Sequence, residues 1–492
     1  MRSCLVLALI AGIGCGAERD ARLRSHAPAA ASSQAKAGAV AAGKAAAPRT
    51  ACDYHVSAPA EPPYVVRVTA RCEGGGVNGF ASTEARAVPF VTAMPTTAPT
   101  VVHAATRVAP GVAELTYTVD LDGLARREDD IDVARRFGSS LVAPASSFLL
   151  RPSPEQDDVP ITVHFDTPAI ESGLRRSGDA YTILSHELRV ATFTTFGARD
   201  ARDLAIHGAS VRLVLLDGRL DLTADELARW VTTAAQGVAD FFQRPPASRT
   251  LVVLGPLSGR HGIPFGKMLP ATAPGVIVLL GEHTAPRELT DDWVLVHELF
   301  HAGTPSFVGE GKWYDEGLAT YFEPLIRTRL GWRSEADVWR EFVTNMPRGL
   351  DAMTRRGLEH PGRYSDMYWG GGLFCLLADV RARRLSGGFV GLEDGVRAVL
   401  EQGGAASEVW SLARVTEVTD RALGAPILSE LEAAHLNTGS PVDLAGLFRS
   451  LGVTLDRKGD LRFDDEPSLV RLRHDLVYGP PYMEPATGGA AH

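Results

Sequence analysis

The chain has 492 residues, a formal net charge of −9 and 45% hydrophobic residues. That length exceeds what one hydrophobic core usually serves, so two or three domains are expected, and the apolar fraction says that most of the chain folds. An acidic balance without a basic stripe argues against nucleic acid as a partner.

Residues 1–15, MRSCLVLALIAGIGC, place one arginine before an apolar run and end on small residues and a cysteine. This is the layout of a secretory leader, too short to span a bilayer as a mature helix. Gly14-Cys15 resembles the end of a bacterial lipoprotein signal, so two outcomes are open: ordinary cleavage nearby, or membrane attachment through a lipidated Cys15. Both put the chain outside the cytoplasm, periplasmic or secreted. Residues 16–50 are rich in alanine, glycine and serine, cannot bury a core, and read as a tether.

Residues 51–205 carry alternating, β-branched segments such as YVVRVTA, ELTYTVDL and PITVHF between Gly, Pro and Asp turns, which predicts a β-rich domain. An exported chain can oxidise Cys52 with Cys72. Cys375 falls in an apolar helical pattern and reads as a core residue. No His, Cys or carboxylate group stands at ligand spacing in the β-rich stretch, so its expected role is structural or substrate-framing.

The period changes after that. Thr223 to Glu226 form a capping box for a helix reaching about Phe242, and LVVLG (251–255) and GVIVLLG (275–281) read as strands. Residues 206–400 are therefore expected as a second, catalytic domain, followed by a helical region and loose tail over 401–492. Within it, TDDWVLVHELFHAGTP predicts a helix capped by Thr290 and stopped by Gly303 and Pro305.

On that helix His297 and His301 stack one turn apart, where two imidazoles can grip one ion, while Glu298 is rotated away from them. Zinc lowers the pKa of a bound water to about 7, and a carboxylate beside it can take the proton as hydroxide attacks a carbonyl. H-E-x-x-H arises by composition often enough that a third ligand has to decide. KWYDEGLATYFEPLIRTRLGW predicts a second helix, and its Glu316 completes a two-histidine, one-carboxylate set with a position left for water. Asp315 and Thr320 stand near enough to support a ligand by hydrogen bonding.

HELFH followed by WYDEGLATYFE resembles the gluzincin metallopeptidases, and the likeness is nearest to the glycyl aminopeptidase family. YSDMYWGGGLFCLLADVRARRLSGG is similar to that family's Y-x-K-G-A segment and the helix after it. The resemblance spans about residues 206–400. It implies an α+β multidomain chain with a thermolysin-like catalytic domain, bound zinc, peptide or protein substrates, Glu298 as general base, and Tyr368 as hydrogen-bond donor to the oxyanion. Three departures stand out: a shorter spacing from His301 to Glu316, Gly370 in place of the usual lysine, and no C-terminal PDZ module.

Aminopeptidase relatives also place a glutamate shortly before the catalytic helix, where it pairs with the substrate ammonium. Here RHGIPFGKMLPATAPGVIVLLG (260–281) has no carboxylate and does carry Lys267, which predicts that the enzyme is not restricted to free N-termini. Glu282 and Glu323 are the candidate substitute anchors, and GVIVLLG is the expected peptide-holding strand. Two other functions remain open at this point: a zinc hydrolase acting on an ester or epoxide, and a non-catalytic surface lipoprotein that keeps the scaffold.

Overall fold

The computed structural model describes residues 50–93, 112–154, 159–167, 169–189, 191–307 and 309–479. The leader, Cys15, most of the tether and the last residues lie outside them. The architecture is mixed α+β, with a β-rich N-terminal part and a helical C-terminal region. No helix among the described residues is long and apolar enough to cross a membrane.

In the N-terminal part, strict alternation builds a seven-stranded sheet. Val65–Glu73 buries Val66, Val68, Ala70 and Cys72 and turns the residues between them toward solvent. Ala51–Ser57 pairs with it antiparallel and with Pro160–Phe165 parallel. Cys52 sits directly across from Cys72, and the two form a disulfide.

A four-stranded sheet, in the order Ile170–Ser172, Phe193–Phe196, Ser140–Pro144 and Arg135–Phe137, also belongs to the β-rich part, and a five-stranded sheet follows it in the order Asp200–Ile206, Ala209–Leu215, Arg249–Leu257, Gly275–Gly281 and Phe265–Leu269. Its first hairpin begins at Asp200, so the switch between sheets precedes the expected boundary near 205. The cause is pairing: Asp200–Ile206 hydrogen-bonds along Ala209–Leu215 and through it to Arg249–Leu257.

The interior strand Gly275–Gly281 is apolar and buried at every position because both faces of the sheet are covered there. Val276, Val278 and Leu280 pack against the helices, whereas Ile277 and Leu279 meet Ile131, Phe137, Val142 and Phe193 of the β-rich part. The β-rich part thus backs the sheet on the face opposite the helices. Ala224–Phe242, opened by the Thr223–Glu226 capping box, is the crossover between parallel strands.

The helical layer includes Val294–Phe300, Lys312–Arg329 and Gly371–Ser386, with Cys375 buried among them. One apolar core runs from Ile206 to Val477, so the C-terminal helices share it. The tail expected to be loose is folded through residue 478: Val453–Leu455 and Leu461–Phe463 form a hairpin, and helix Pro467–Tyr478 returns to Lys312–Arg329, where Arg329 Nε donates to the Val477 carbonyl at 2.8 Å.

The Lys312–Arg329 and Gly371–Ser386 helices touch backbone to backbone at Gly317 and Gly371. A β-carbon at Gly317 would lie 2.5 Å from the Gly371 backbone, and one at Gly371 would lie 2.3 Å from the Trp313 carbonyl oxygen. No side chain can yield there. Gly317→Ala is expected to force the helices apart and destabilise the chain by about 1–3 kcal/mol, the usual range for overpacking. An unchanged thermal midpoint would show that this contact is not tight.

Candidate active site

The motif helix starts later than its sequence suggests. A separate short helix, Pro286–Asp291, absorbs Thr290, whose hydroxyl donates to the Arg287 carbonyl at 2.9 Å. The chain then breaks, and the Asp292 carboxylate accepts from the Val294 and Leu295 amides at 2.8 and 3.4 Å. Asp292 rather than Thr290 satisfies the first free amides, because a side chain reaches only amides two or three residues ahead of it.

Val294–Phe300 carries His297 and Glu298, and His301 closes it. Both histidines are buried. Lys312–Arg329 brings Glu316 against them: its Oε2 lies 3.3 Å from His297 Nε2 and 3.7 Å from His301 Nε2. One ligand atom from each of the three lies within 4.8 Å of the others, so the set could hold a metal ion. The start of this helix is fixed by Glu359, which accepts from the Gly311 amide and the Trp313 indole, both at 2.8 Å.

Asp315 lies behind His301. Its Oδ1 is 3.0 Å from His301 Nδ1 and accepts from the Thr304 hydroxyl at 2.8 Å. A proton held on Nδ1 by this carboxylate leaves the Nε2 lone pair facing Glu316. Thr320 does not take the supporting role expected of it. Among the described residues its buried hydroxyl has no hydrogen-bond partner, and its carbons pack on Gly372 of the neighbouring helix.

Removal from water raises the Glu298 carboxyl above its ordinary range, against the pull of His297 and His301. Burial works to raise Glu316 too, but its hydrogen bonds to the two histidines outweigh it and hold the carboxyl well below the ordinary range. For His301 burial acts to lower the ring, and the Asp315 and Glu316 carboxylates reverse it. The cluster therefore calls for positive charge among its donor atoms.

Tyr368 stands in a π-helical turn, Asp366–Gly370, that leads into Gly371–Ser386. Its ring lies parallel to that of His297, with 5.7 Å between centroids and 13° between planes. Burial and the Glu316 and Glu298 carboxylates keep its hydroxyl well above the ordinary phenol range, so it stays a donor at neutral pH. Tyr364, four residues before Tyr368, is strongly exposed.

The edge strand of the sheet on the side of the motif helix is Phe265–Leu269. GVIVLLG lies between that strand and Arg249–Leu257, so its backbone is already paired and cannot hold a peptide. Gly266 lets the edge strand approach the motif helix: a β-carbon there would lie 2.2 Å from Val294 Cγ1 and 3.0 Å from Glu298 Cγ. The Met268 amide donates to the Glu298 carboxylate.

Lys267 points to the other face, where its Nζ meets both oxygens of Asp132, from the β-rich part, at 2.6 and 2.7 Å. Neither substitute anchor is free. Glu282 accepts from the Ser258 hydroxyl and the Gly259 amide at 2.8 and 2.9 Å, and Glu323 is buried against Arg327. Asp292 and Gly266 carry local signals, as a carboxylate just before an apolar helix and as a glycine within a strand pattern. Glu359 and Asp132 have none, since each arrives from a distant segment.

No protein-family model and no curated protein matches the chain. Among solved structures, an M1 zinc metallopeptidase from Deinococcus radiodurans aligns with a TM-score of 0.45 and 15% identity over 80% of this chain and 94% of that one, an overlap too loose to carry an argument. An aminopeptidase N family protein from Idiomarina loihiensis is similar with a TM-score of 0.63 and 15% identity, covering 82% of this chain and 78% of that one. The chain has the same kind of fold as that aminopeptidase N family protein.

Proposed function

We propose that the chain is a zinc-dependent peptidase of the gluzincin kind, nearest in motif to the glycyl aminopeptidase family, with a thermolysin-like catalytic region over residues 206–400. The observation that carries this reading is the convergence of His297, His301 and Glu316 within 4.8 Å of one another, beside Glu298 and Tyr368.

Two imidazoles and a carboxylate are a donor set that zinc takes in catalytic sites, and the buried cluster asks for a cation. Zinc bound there supplies Lewis-acid polarisation and an acidified water. Glu298, as general base, takes a proton from the attacking water and then passes it to the leaving amine, a role suited by a carboxyl raised through burial. Tyr368 donates a hydrogen bond from its hydroxyl to the oxyanion that forms on the scissile carbonyl. Asp315 keeps His301 turned toward the ion. The Phe265–Leu269 edge pairs with an extended peptide through its unpaired backbone groups.

The cleft is read as open to internal or blocked peptides. The edge strand offers no free carboxylate to a substrate ammonium, Lys267 already neutralises Asp132, and a buried ammonium without a partner is penalised. Action outside the cytoplasm, with Cys15 as the candidate lipid attachment point, is part of the proposal; the Cys52–Cys72 bridge supports an oxidising compartment.

Three measurements test these assignments. Glu298→Gln is expected to keep the zinc content of the unaltered chain while turnover falls by roughly 10²- to 10⁴-fold, the usual loss of a general base; near-normal turnover refutes the mechanism. Asp315→Ala should weaken zinc binding by about 10- to 100-fold, read by competition with a chromophoric chelator. Affinity left unchanged would reduce Asp315 to a packing role. A peptide and its N-acetylated twin are expected to be cleaved alike, and trimming of only the free form, one residue at a time, would restore the aminopeptidase reading.

A further inference from the structure

The outer face of the seven-stranded sheet brings together ligating side chains that no local spacing announces. Ala51–Ser57 and Pro160–Phe165 run parallel, with His55 opposite His164 and Asp53 opposite Thr162. Alternation buries Cys52, Tyr54, Val56, Ile161 and Val163 and turns Asp53, His55 and His164 outward. The two imidazoles stack with 4.7 Å between centroids and 11° between planes. His55 Nε2 lies 3.0 Å from Asp53 Oδ1, and His164 Nε2 lies 3.3 Å from Asp53 Oδ2. Asp166 Oδ1 stands 3.8 Å from His55 Nδ1, on the far side of that ring.

We propose that Asp53, His55 and His164 form a second metal site, for a divalent transition-metal ion of the zinc class, on the β-rich part. One ligand atom from each lies within 4.8 Å of the others, as in His297, His301 and Glu316. Two imidazole nitrogens select this class, since magnesium and calcium take oxygen ligands.

Each ring nitrogen already faces a different oxygen of one carboxylate, so a single cation can replace the two protons that otherwise bridge them. Both rings then stay neutral and all three side chains keep a partner. Asp166, 3.8 Å from the non-ligating nitrogen of His55, needs a small side-chain shift to give the support that ligand histidines usually have. The side chains of His55, Asp53 and His164 are 55%, 48% and 36% exposed, which leaves room for water ligands and for the small rotations that coordination needs.

An ion here ties Asp53 and His55 to His164, across 111 positions of sequence for the Asp53–His164 pair, and so pins the parallel strand pairing. Binding to the folded form alone stabilises it. The proposal does not depend on the peptidase reading.

The competing arrangement keeps a proton on each Nε2, as a hydrogen-bonded surface network that binds nothing. Equilibrium dialysis of the purified chain against micromolar free Zn²⁺, followed by elemental analysis, decides between them. The chain is expected to hold one more zinc than its His55→Ala/His164→Ala variant, which keeps full peptidase turnover because the cluster lies on the other domain. A His297→Ala/His301→Ala variant should still hold that zinc, and added Zn²⁺ should raise its thermal midpoint; adding the His55 and His164 substitutions should abolish the rise. Equal zinc in the unaltered chain and the folded His55→Ala/His164→Ala variant overturns the proposal. Loss of zinc only with His297 and His301 also overturns it while leaving the peptidase reading intact, and loss only with His55 and His164 does the reverse.

Discussion

Two imidazoles and a carboxylate gathered in a buried pocket are tolerable only with positive charge among them, and the helical half of the molecule is organised around that requirement. His297 and His301 come from one helix and Glu316 from the next, so the two helices must meet at a defined height. Glu359 fixes where the second begins, Asp292 fixes where the first begins, and the Gly317–Gly371 contact sets how near the Tyr368 segment can come. His297, His301 and Glu316 themselves fix none of these heights. The surrounding contacts convert a local motif into a three-dimensional one.

The sheet carries the second constraint. Because helices cover one face and the β-rich part covers the other, backbone is left to offer only at the two outer strands, Asp200–Ile206 and Phe265–Leu269, and the second of these is the one beside the motif helix. Gly266 allows that strand to lie directly on the motif helix, and the Met268 amide then meets Glu298. On the opposite face Lys267 is tied to Asp132, so the β-rich part reaches the cleft edge and decides its charge. The β-rich part, expected from sequence to be structural or substrate-framing, thereby contributes a carboxylate at the cleft edge.

The two candidate metal clusters use the same chemistry in different secondary structure. On the helix, residues four apart stack on one face and the third ligand comes from a neighbouring helix. On the sheet, residues two apart share a face and the third comes from the adjacent strand in register, as His164 does beside His55. Helical spacing is visible in a stretch of ten residues, whereas strand register is not.

What the sequence determined by itself is what local periodicity and short-range capping can encode: His297 and His301 on one helix face with Glu298 turned aside, Glu316 and Asp315 on the following helix, and the Thr223–Glu226 box. The uninterrupted apolar run of GVIVLLG likewise marks a strand covered on both faces. Tertiary structure decided the rest, because sheet order and register join segments that no spacing relates. It set Phe265–Leu269 outside GVIVLLG, began the five-stranded sheet at Asp200, turned Thr320 toward Gly372, moved the helix cap from Thr290 to Asp292, and paired Lys267 with Asp132. It also laid His55 beside His164, two histidines that sequence leaves more than a hundred residues apart and hydrogen-bonded backbone brings within stacking distance.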